Sequence, residues 1–302
     1  MENLNGKSAM RDTGLVSITD VELKKSAGAV VWWRLCWGLD GAALLRAWTD
    51  EQLPISLIPE YPSFVTALRR SVNDLVEKRL LARPCPSGGI ALVEETTSTS
   101  ETLHYEIILT VAHAGMGNLQ FSESTHPRSS ELTDLIRAGY ARHLRTYSQQ
   151  DVSAWLCRML DKQIEAVALR DSGGIYFVPA YRVPLWERIV RAIRAASDHV
   201  VHFVPAMPSG ETISAITDAI AQEVNASVAT LEPSDDVGAR GLASRYAKAS
   251  ELEEKVKRYE QLLGTSLAKT RARVEVLQAE LFAAQTAIEV EKNGGVLPEL
   301  GA

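Results

Sequence analysis

Apolar residues recur every three or four positions between Ser63 and Leu81, and this spacing predicts one amphipathic helix over the whole stretch. The apolar stripe comprises Val65, Leu68, Val72, Leu75, Val76 and Leu80. The polar side is basic, because its cations outnumber the two carboxylates of Asp74 and Glu77. The cations are Arg69, Arg70, Lys78 and Arg79, with Arg83 just beyond. Both a solvated helix that keeps the domain soluble and a helix that binds nucleic acid fit this pattern.

A helical pattern followed by Ser-Gly-Gly-Ile and a short apolar strand occurs twice along the chain. In the first copy the helix at 63–81 precedes Ser87–Ile90, and in the second the stretch 151–169 precedes Ser172–Ile175. The repetition indicates two related modules.

The order helix, Gly-Gly turn and strand resembles the passage from the third helix into the β-wing of the winged-helix superfamily. The resemblance covers residues 38–112: two short helices, the basic helix, and a hairpin formed by Ala82–Pro84 and Ile90–Glu94. It implies that the basic helix is a recognition helix for the major groove of duplex DNA. Many winged-helix modules serve only as protein-docking units. The sequence departs from the DNA-binding pattern at the wing, because 86–89 carries no Arg or Lys.

The residue pattern before the basic helix predicts a tail and two helices. Residues 1–18 are polar and patternless and are expected to be disordered. Residues 19–22 fit a capping box and predict a helix that continues to Trp37. A second helix is predicted at Ala42–Trp48, and the prolines between Pro54 and Pro62 end it.

Period-two alternation from Leu103 to Ala112 predicts a strand. The alternating apolar positions are Leu103, Tyr105, Ile107, Leu109 and Val111. The turn at 115–118 then predicts a hairpin with a return strand at Leu119–Ser122. These elements complete an expected winged-helix-like domain at 19–126.

Residues 127–231 are expected to form a small α/β domain. Two helices are predicted first, the second of them beginning at Ser148. The similar segments Tyr176–Ala180 and His202–Ala206 are separated by a helix at 184–197, which predicts a right-handed βαβ unit with neighbouring parallel strands. A helix at 211–228 completes this domain.

The C-terminal part has coiled-coil periodicity. A linker is predicted at 232–241, a helical arm at 242–292 and a frayed tail at 293–302. Either the arm is one long helix with a stutter that pairs with another chain, or Gly264–Ser266 breaks it into an antiparallel hairpin. The residues assigned to self-association or partner docking are Leu252, Val256, Tyr259, Leu263, Val274, Leu277 and Leu281.

Composition narrows the class of protein. The 302 residues are 46% hydrophobic and carry a net charge of −6, which is typical of a folded protein of about two domains. The apolar window 27–48 contains Arg34, Asp40 and Arg46, each of which would cost about 2.5 to 3.5 kcal/mol inside a membrane. A buried helix pair is expected there instead. The three cysteines have no metal-ligand spacing, so a reduced, cytoplasmic protein without metal or cofactor is expected.

Candidate chemistry is sparse. Residues 208–212 open a helix where an anion could bind, but the P-loop lysine is missing and Glu211 would oppose a phosphate. The sequence therefore predicts an α+β protein with a winged-helix-like N-terminal domain, a small central α/β domain and a coiled-coil-like arm. The expected function is that of a non-catalytic DNA-associated or adaptor protein that self-associates. The alternatives are a protein–protein scaffold and an enzyme whose site lies at the Gly210 helix start.

Overall fold

The computed structural model describes residues 26–85, 88–97, 103–171, 173–234 and 237–292. These residues form a mixed α+β fold with three small antiparallel sheets. The strands are β1 (Gly28–Arg34), β2 (Leu39–Asp40), β3 (Leu80–Pro84), β4 (Ile90–Thr97), β5 (Leu103–His113), β6 (Leu119–Phe121), β7 (Thr146–Tyr147), β8 (Val167–Ala168), β9 (Tyr176–Pro179) and β10 (Val200–Ala206). The helices are α1 (Gly41–Asp50), α2 (Phe64–Asn73), α3 (Ser129–His143), α4 (Gln149–Lys162), α5 (Val183–Ala196), α6 (Gly210–Leu231), α7 (Ala239–Leu263) and α8 (Ala268–Lys292).

The chain forms two compact units, each built from separate stretches of sequence. The meander unit contains residues 32–164 and 184–202. The helical-hairpin unit contains the described residues within 1–31, 165–183 and 203–302. The predicted helix at 42–48, the first predicted helix of 127–231 and the hairpin after Leu103 are confirmed as α1, α3 and β5–β6.

In the meander unit the strands pair in the order β3-β4-β5-β6. Helices α2 and α3 pack on one face of this sheet and bury a shared core. The core comprises Ala67, Leu68, Val72, Leu80, Leu92, Ile108, Leu109, Val111, Leu132, Ile136 and Tyr140. The other face is called the outer sheet face below.

A β-bulge in β5 places its alternating apolar residues on both faces of the sheet. Val93 lies opposite Ile107 and Leu92 opposite Leu109, so Ile108 is an extra residue. An extra residue reverses the facing of every side chain beyond it. Leu109 is consequently buried at 2% exposure, whereas Ile107 is 61% exposed. The strand predicted from this alternation is confirmed as β5, and its alternating apolar residues are divided between the two faces of the sheet.

The basic helix is shorter than predicted. α2 ends at Asn73, and a tight turn with paired backbone hydrogen bonds between Glu77 and Leu80 leads into β3. The helical spacing extended to Leu80 because that side chain enters the same core from the strand, at 1% exposure. Lys78 and Arg79 thus do not lie on a helix, which corrects the predicted span of 63–81.

The predicted N-terminal helix is replaced by strand β1 over Gly28–Arg34. The sequence of β1 is apolar on both sides of the pleat, and such a run cannot be assigned to helix or strand from periodicity alone. The prediction of a buried helix pair at 27–48 is wrong for the same reason. The proposed disordered tail and capping box lie outside the described residues.

Both copies of the repeated motif form a helix followed along the chain by an antiparallel hairpin. β3 pairs with β4, and β8 pairs with β9. Gly88 and Gly89 have φ values of 83° and 98°, and Gly173 and Gly174 have values of 66° and 86°. These left-handed conformations favour glycine, which explains why the same dipeptide occurs at both turns.

The predicted βαβ unit is only partly correct. A strand, a helix and a strand follow one another as β9, α5 and β10. However, the sheet order is β10-β1-β9-β8, so β1 lies between the two strands that were expected to be neighbours. Because β1 comes from residues 28–34, its position between β9 and β10 could not be predicted from the short distance in sequence between those two strands.

In the helical-hairpin unit, α7 and α8 form an antiparallel pair, as the second of the two predicted alternatives required. Arg271 binds Glu260, and Gln278 binds Glu253, so positions progressively further from the turn meet. Gly264 ends α7 with a φ of 61°. Helix α6 packs against both helices. The residues assigned to self-association are all buried within this unit: Leu252, Val256, Tyr259, Leu263, Val274, Leu277 and Leu281.

Candidate functional site

The five cations predicted to bind nucleic acid do not share one surface element. Arg69 is exposed on α2, and Arg70 is half-buried beside it. Lys78 and Arg79 lie in the turn before β3, and Arg83 lies on β3 itself. Arg69, Lys78, Arg79 and Arg83 are exposed and form no ion pair with any carboxylate that the structure describes. Lys78, Arg79 and Arg83 are called the basic edge below.

Arg70 is the exception, because Asp151 neutralises it. The two guanidinium Nη atoms donate to the carboxylate at 2.6 and 2.8 Å. Asp151 also completes the capping box of α4 with Ser148. Burial favours a raised pKa for Asp151, but the hydrogen bonds from Arg70 and Ser148 outweigh it and lower the pKa below the ordinary value of 3.8. Arg70 therefore joins α2 to α4 and is not available to a polyanion.

We expect the substitution Arg70→Met to lower the free energy of unfolding by about 1 to 2 kcal/mol at neutral pH, because it removes a bidentate charged hydrogen bond while keeping the apolar stem. A lowered carboxyl pKa stabilises the fold above the unfolded pKa and ceases to do so as pH falls through the folded pKa. The gap between wild type and variant should thus narrow below pH 3.8, the ordinary value for Asp151. Urea unfolding at several pH values measures both effects.

The neighbouring substitution Arg69→Met is the matched control, since Arg69 is exposed and has no described ion pair. Its stability should stay within about 0.5 kcal/mol of wild type. Equal losses at the two positions would contradict the structural role assigned to Arg70.

The outer sheet face carries cations along its edge strand and apolar side chains at its centre. Leu81, Val93 and Ile107 lie in one row across β3, β4 and β5. Arg83 begins the next row, beside Ala91. The amide of Glu95 donates to the carbonyl of Arg79 at 2.8 Å, which places Arg79 at the start of the row that ends in Tyr105.

Three large side chains on β5 remain exposed on this face. Leu103 is 51%, Tyr105 55% and Ile107 61% exposed. Side chains on a strand alternate between faces, so the three lie on the same side of the sheet. The alternation predicted a strand here but did not indicate which of its side chains are exposed, because the bulge at Ile108 leaves no clear signal in the sequence.

Tyr105 on this face interacts with the carboxylate of Glu95. The Tyr105 hydroxyl is hydrogen-bonded to Glu95, and this bond, with the charge of Glu95, raises the pKa of Tyr105. Arg83 lies near enough to oppose that shift. The phenol is thus neutral at physiological pH, and the side chain is 55% exposed.

Cys36 and His199, which the sequence did not connect, meet in the meander unit. The amide of Cys36 donates to Nδ1 of His199 at 3.1 Å, and the Cys36 thiol donates to the carbonyl of Asp198 at 3.2 Å. His199 is 2% exposed, and burial lowers its pKa, so it is neutral near pH 7. Because the thiol donates to a carbonyl and not to the imidazole, this pair fixes a loop and provides no activated nucleophile.

A groove of about 480 Å³ lies between residues 56–60 and helix α4. Its wall is the proline-punctuated connection, which three aromatic side chains anchor. Trp48 donates to the carbonyl of Pro54, Trp155 to that of Leu57 and Tyr147 to that of Pro59, at 2.8 to 2.9 Å. Arg158 and Lys162 lie along the groove from α4. These three hydrogen bonds anchor the loop beside the groove, but they do not indicate which ligand the groove would bind.

The helix start at Gly210, considered in the sequence as a weak anion site, is occupied by its own cap. Ser209 Oγ accepts from the amide of Thr212 at 3.1 Å. Hydrogen bonds from its own amide and from Ser209 lower the pKa of Glu211, so a carboxylate already faces the helix N-terminus. Within the described residues, no group of His, Cys, Asp and Glu side chains could hold a metal ion.

The fold and these surfaces define an α+β protein whose main candidate surface is an exposed sheet face with a cationic edge. The chain belongs to the family of unknown function DUF6744, whose model matches residues 27–292. No curated protein and no solved structure matches the chain. None of the helices in the described ranges is long and apolar enough to cross a membrane.

Proposed function

We propose that this protein is a non-catalytic nucleic-acid-binding protein whose phosphate contacts come from the basic edge. The observation that carries the proposal is that Lys78, Arg79 and Arg83 are exposed, lie within six residues of one another and have no described carboxylate partner. Unpaired cations of this kind release counterions from a polyanion on binding. The net charge of −6 does not oppose this, because binding depends on the local charge of a surface.

Of the winged-helix-like elements, the hairpin and not the helix is the proposed contact with nucleic acid. The order of α2, β3 and β4 supports a helix followed by a wing-like hairpin at 64–97. On α2, Arg69 is the one predicted cation that remains unpaired among the described residues, so insertion of this helix into duplex DNA has little electrostatic support. The cations at the hairpin edge have more.

The C-terminal arm has no part in this proposal. Its apolar stripe is covered by the chain's own helices, so self-association would require a different surface. Adaptor function remains a second candidate, because Leu103, Tyr105 and Ile107 expose apolar area of the kind that protein interfaces bury.

We expect the triple substitution K78A/R79A/R83A to lower oligonucleotide affinity by about tenfold or more at low salt, because three phosphate contacts are lost. Fluorescence anisotropy with a mixed-sequence oligonucleotide, in single-stranded and duplex form, measures the loss. Thermal unfolding should be unchanged, since all three side chains are exposed.

A matched control removes the same charge elsewhere. Lys248, Lys269 and Arg273 are exposed on α7 and α8 of the helical-hairpin unit. The triple substitution K248A/K269A/R273A should leave the affinity within about twofold of wild type, because only long-range charge changes. Equal losses in the two triple variants, or no wild-type binding at low salt, would contradict the proposal.

A further inference from the structure

We propose that the nucleic acid bound by the outer sheet face is single-stranded, with an unpaired base stacked on the ring of Tyr105. This inference rests on the proposed function and names the ligand class of the same surface. The juxtaposition behind it is an exposed aromatic side chain with apolar neighbours on β5, and Arg79 and Arg83 at the β3 end of neighbouring rows on the same face.

The width of the surface argues against a duplex. Neighbouring strands lie about 4.8 Å apart, so the backbones of β3 and β5 are separated by about 10 Å before their side chains are added. The major groove of B-DNA is about 12 Å wide and admits a helix or a two-stranded ribbon. A face that uses β3, β4 and β5 together is therefore too broad to enter it.

The chemistry of the centre favours bases whose faces are open. Tyr105 is 55% exposed, and its apolar neighbours Leu103 and Ile107 are at least half exposed. Bases in a duplex are stacked on one another, whereas unpaired bases can stack on an aromatic side chain.

Charge sets the direction in which a strand would lie. Glu95 stands between Arg79 and Tyr105 in one row, so its carboxylate disfavours phosphates over β4. Arg79 and Arg83 favour phosphates along β3. The sugar–phosphate backbone thus follows the basic edge, and the bases reach across β4 toward Tyr105 and Ile107.

The test compares binding of oligothymidine and of a hairpin duplex by the full chain at low salt. Wild type should bind oligothymidine at least about tenfold more tightly. Tyr105→Leu keeps apolar area but removes the aromatic face, and should weaken oligothymidine binding about tenfold. Tyr105→Phe keeps the ring and should retain wild-type affinity. Tyr246→Leu is the matched control, since that tyrosine is 39% exposed on α7, and it should have no effect.

The outcomes separate this inference from the proposed function. If K78A/R79A/R83A weakens binding but Tyr105→Leu does not, the basic edge binds nucleic acid and the stacking inference is overturned. A duplex bound as tightly as oligothymidine also overturns it. If wild type binds neither ligand, the proposed function fails as well, and the exposed row on β5 is left to a protein partner. Loss of oligothymidine binding in both Tyr105→Leu and Tyr105→Phe would assign the effect to the hydroxyl and would contradict stacking.

Discussion

The substitution Leu109→Glu should unfold the meander unit, whereas Ile107→Glu, two residues earlier on the same strand, should leave it folded. Leu109 is 2% exposed beneath α2 and α3, and Ile107 is 61% exposed on the outer sheet face. A carboxylate without a partner in an apolar core costs several kcal/mol. We expect a loss of at least about 4 kcal/mol for Leu109→Glu, which is comparable with the whole stability of a typical domain.

The Ile107→Glu variant should stay within about 1 kcal/mol of wild type, because its new charge remains hydrated. Circular dichroism and urea unfolding of both variants measure the difference. Regular alternation along β5 would place positions 107 and 109 on the same face and give them similar losses. Similar losses would therefore contradict the bulge at Ile108 and, with it, the exposed row of the candidate site.

Replacing Tyr259 with alanine should lower the free energy of unfolding by about 3 to 5 kcal/mol, without dependence on protein concentration. Tyr259 is fully buried, lies against Phe177 with ring centroids 6.2 Å apart, and donates to the carbonyl of Glu165 at 2.8 Å. The substitution leaves a cavity and an unpaired carbonyl within one chain. Thermal unfolding at protein concentrations that differ a hundredfold measures both the loss and its concentration dependence.

The control for this substitution is Val276→Ala, at a residue that is 57% exposed on α8. It should change stability by less than about 0.5 kcal/mol. If Tyr259 were instead part of an interface between copies, its substitution would lower the oligomer mass and make the unfolding temperature depend on concentration. That result would restore the self-association role first predicted for the arm.

Local patterns predicted the elements whose cause is local. The strand after Leu103, its hairpin, helix α1 and the Gly-Gly turns follow from alternation and turn residues, and the structure confirms each of them. The hairpin of α7 and α8 was one of two alternatives, and the left-handed conformation of Gly264 decides between them.

The errors arise where tertiary contacts override a local pattern. Leu80 extends the helical spacing of α2 only because it reaches the same core from a strand. Strand β1 lies between β9 and β10, a pairing across more than 140 residues that no short window contains. The bulge at Ile108 places Leu109 in the core and Ile107 on the surface, a division that the alternation did not predict.

The cations of the candidate site could be identified from the sequence, but the elements that carry them could not. Four cations were predicted on one helix, with Arg83 just beyond it. The structure places Lys78 and Arg79 in the turn before β3 and Arg83 on β3, and it pairs Arg70 with Asp151. The partner of Arg70 is 81 residues away in sequence. A pairing at that separation depends on the fold, which is why charge patterning alone could not remove Arg70 from the predicted site.

The most direct test of the proposed function is the salt dependence of oligonucleotide binding in wild type and in K78A/R79A/R83A. Each phosphate contact contributes about 0.7 to the slope of log affinity against log salt for a single strand. If the basic edge makes three such contacts, the slope should fall by about 2 in the triple variant. An unchanged slope would show that the phosphates are bound elsewhere and would contradict the proposed site.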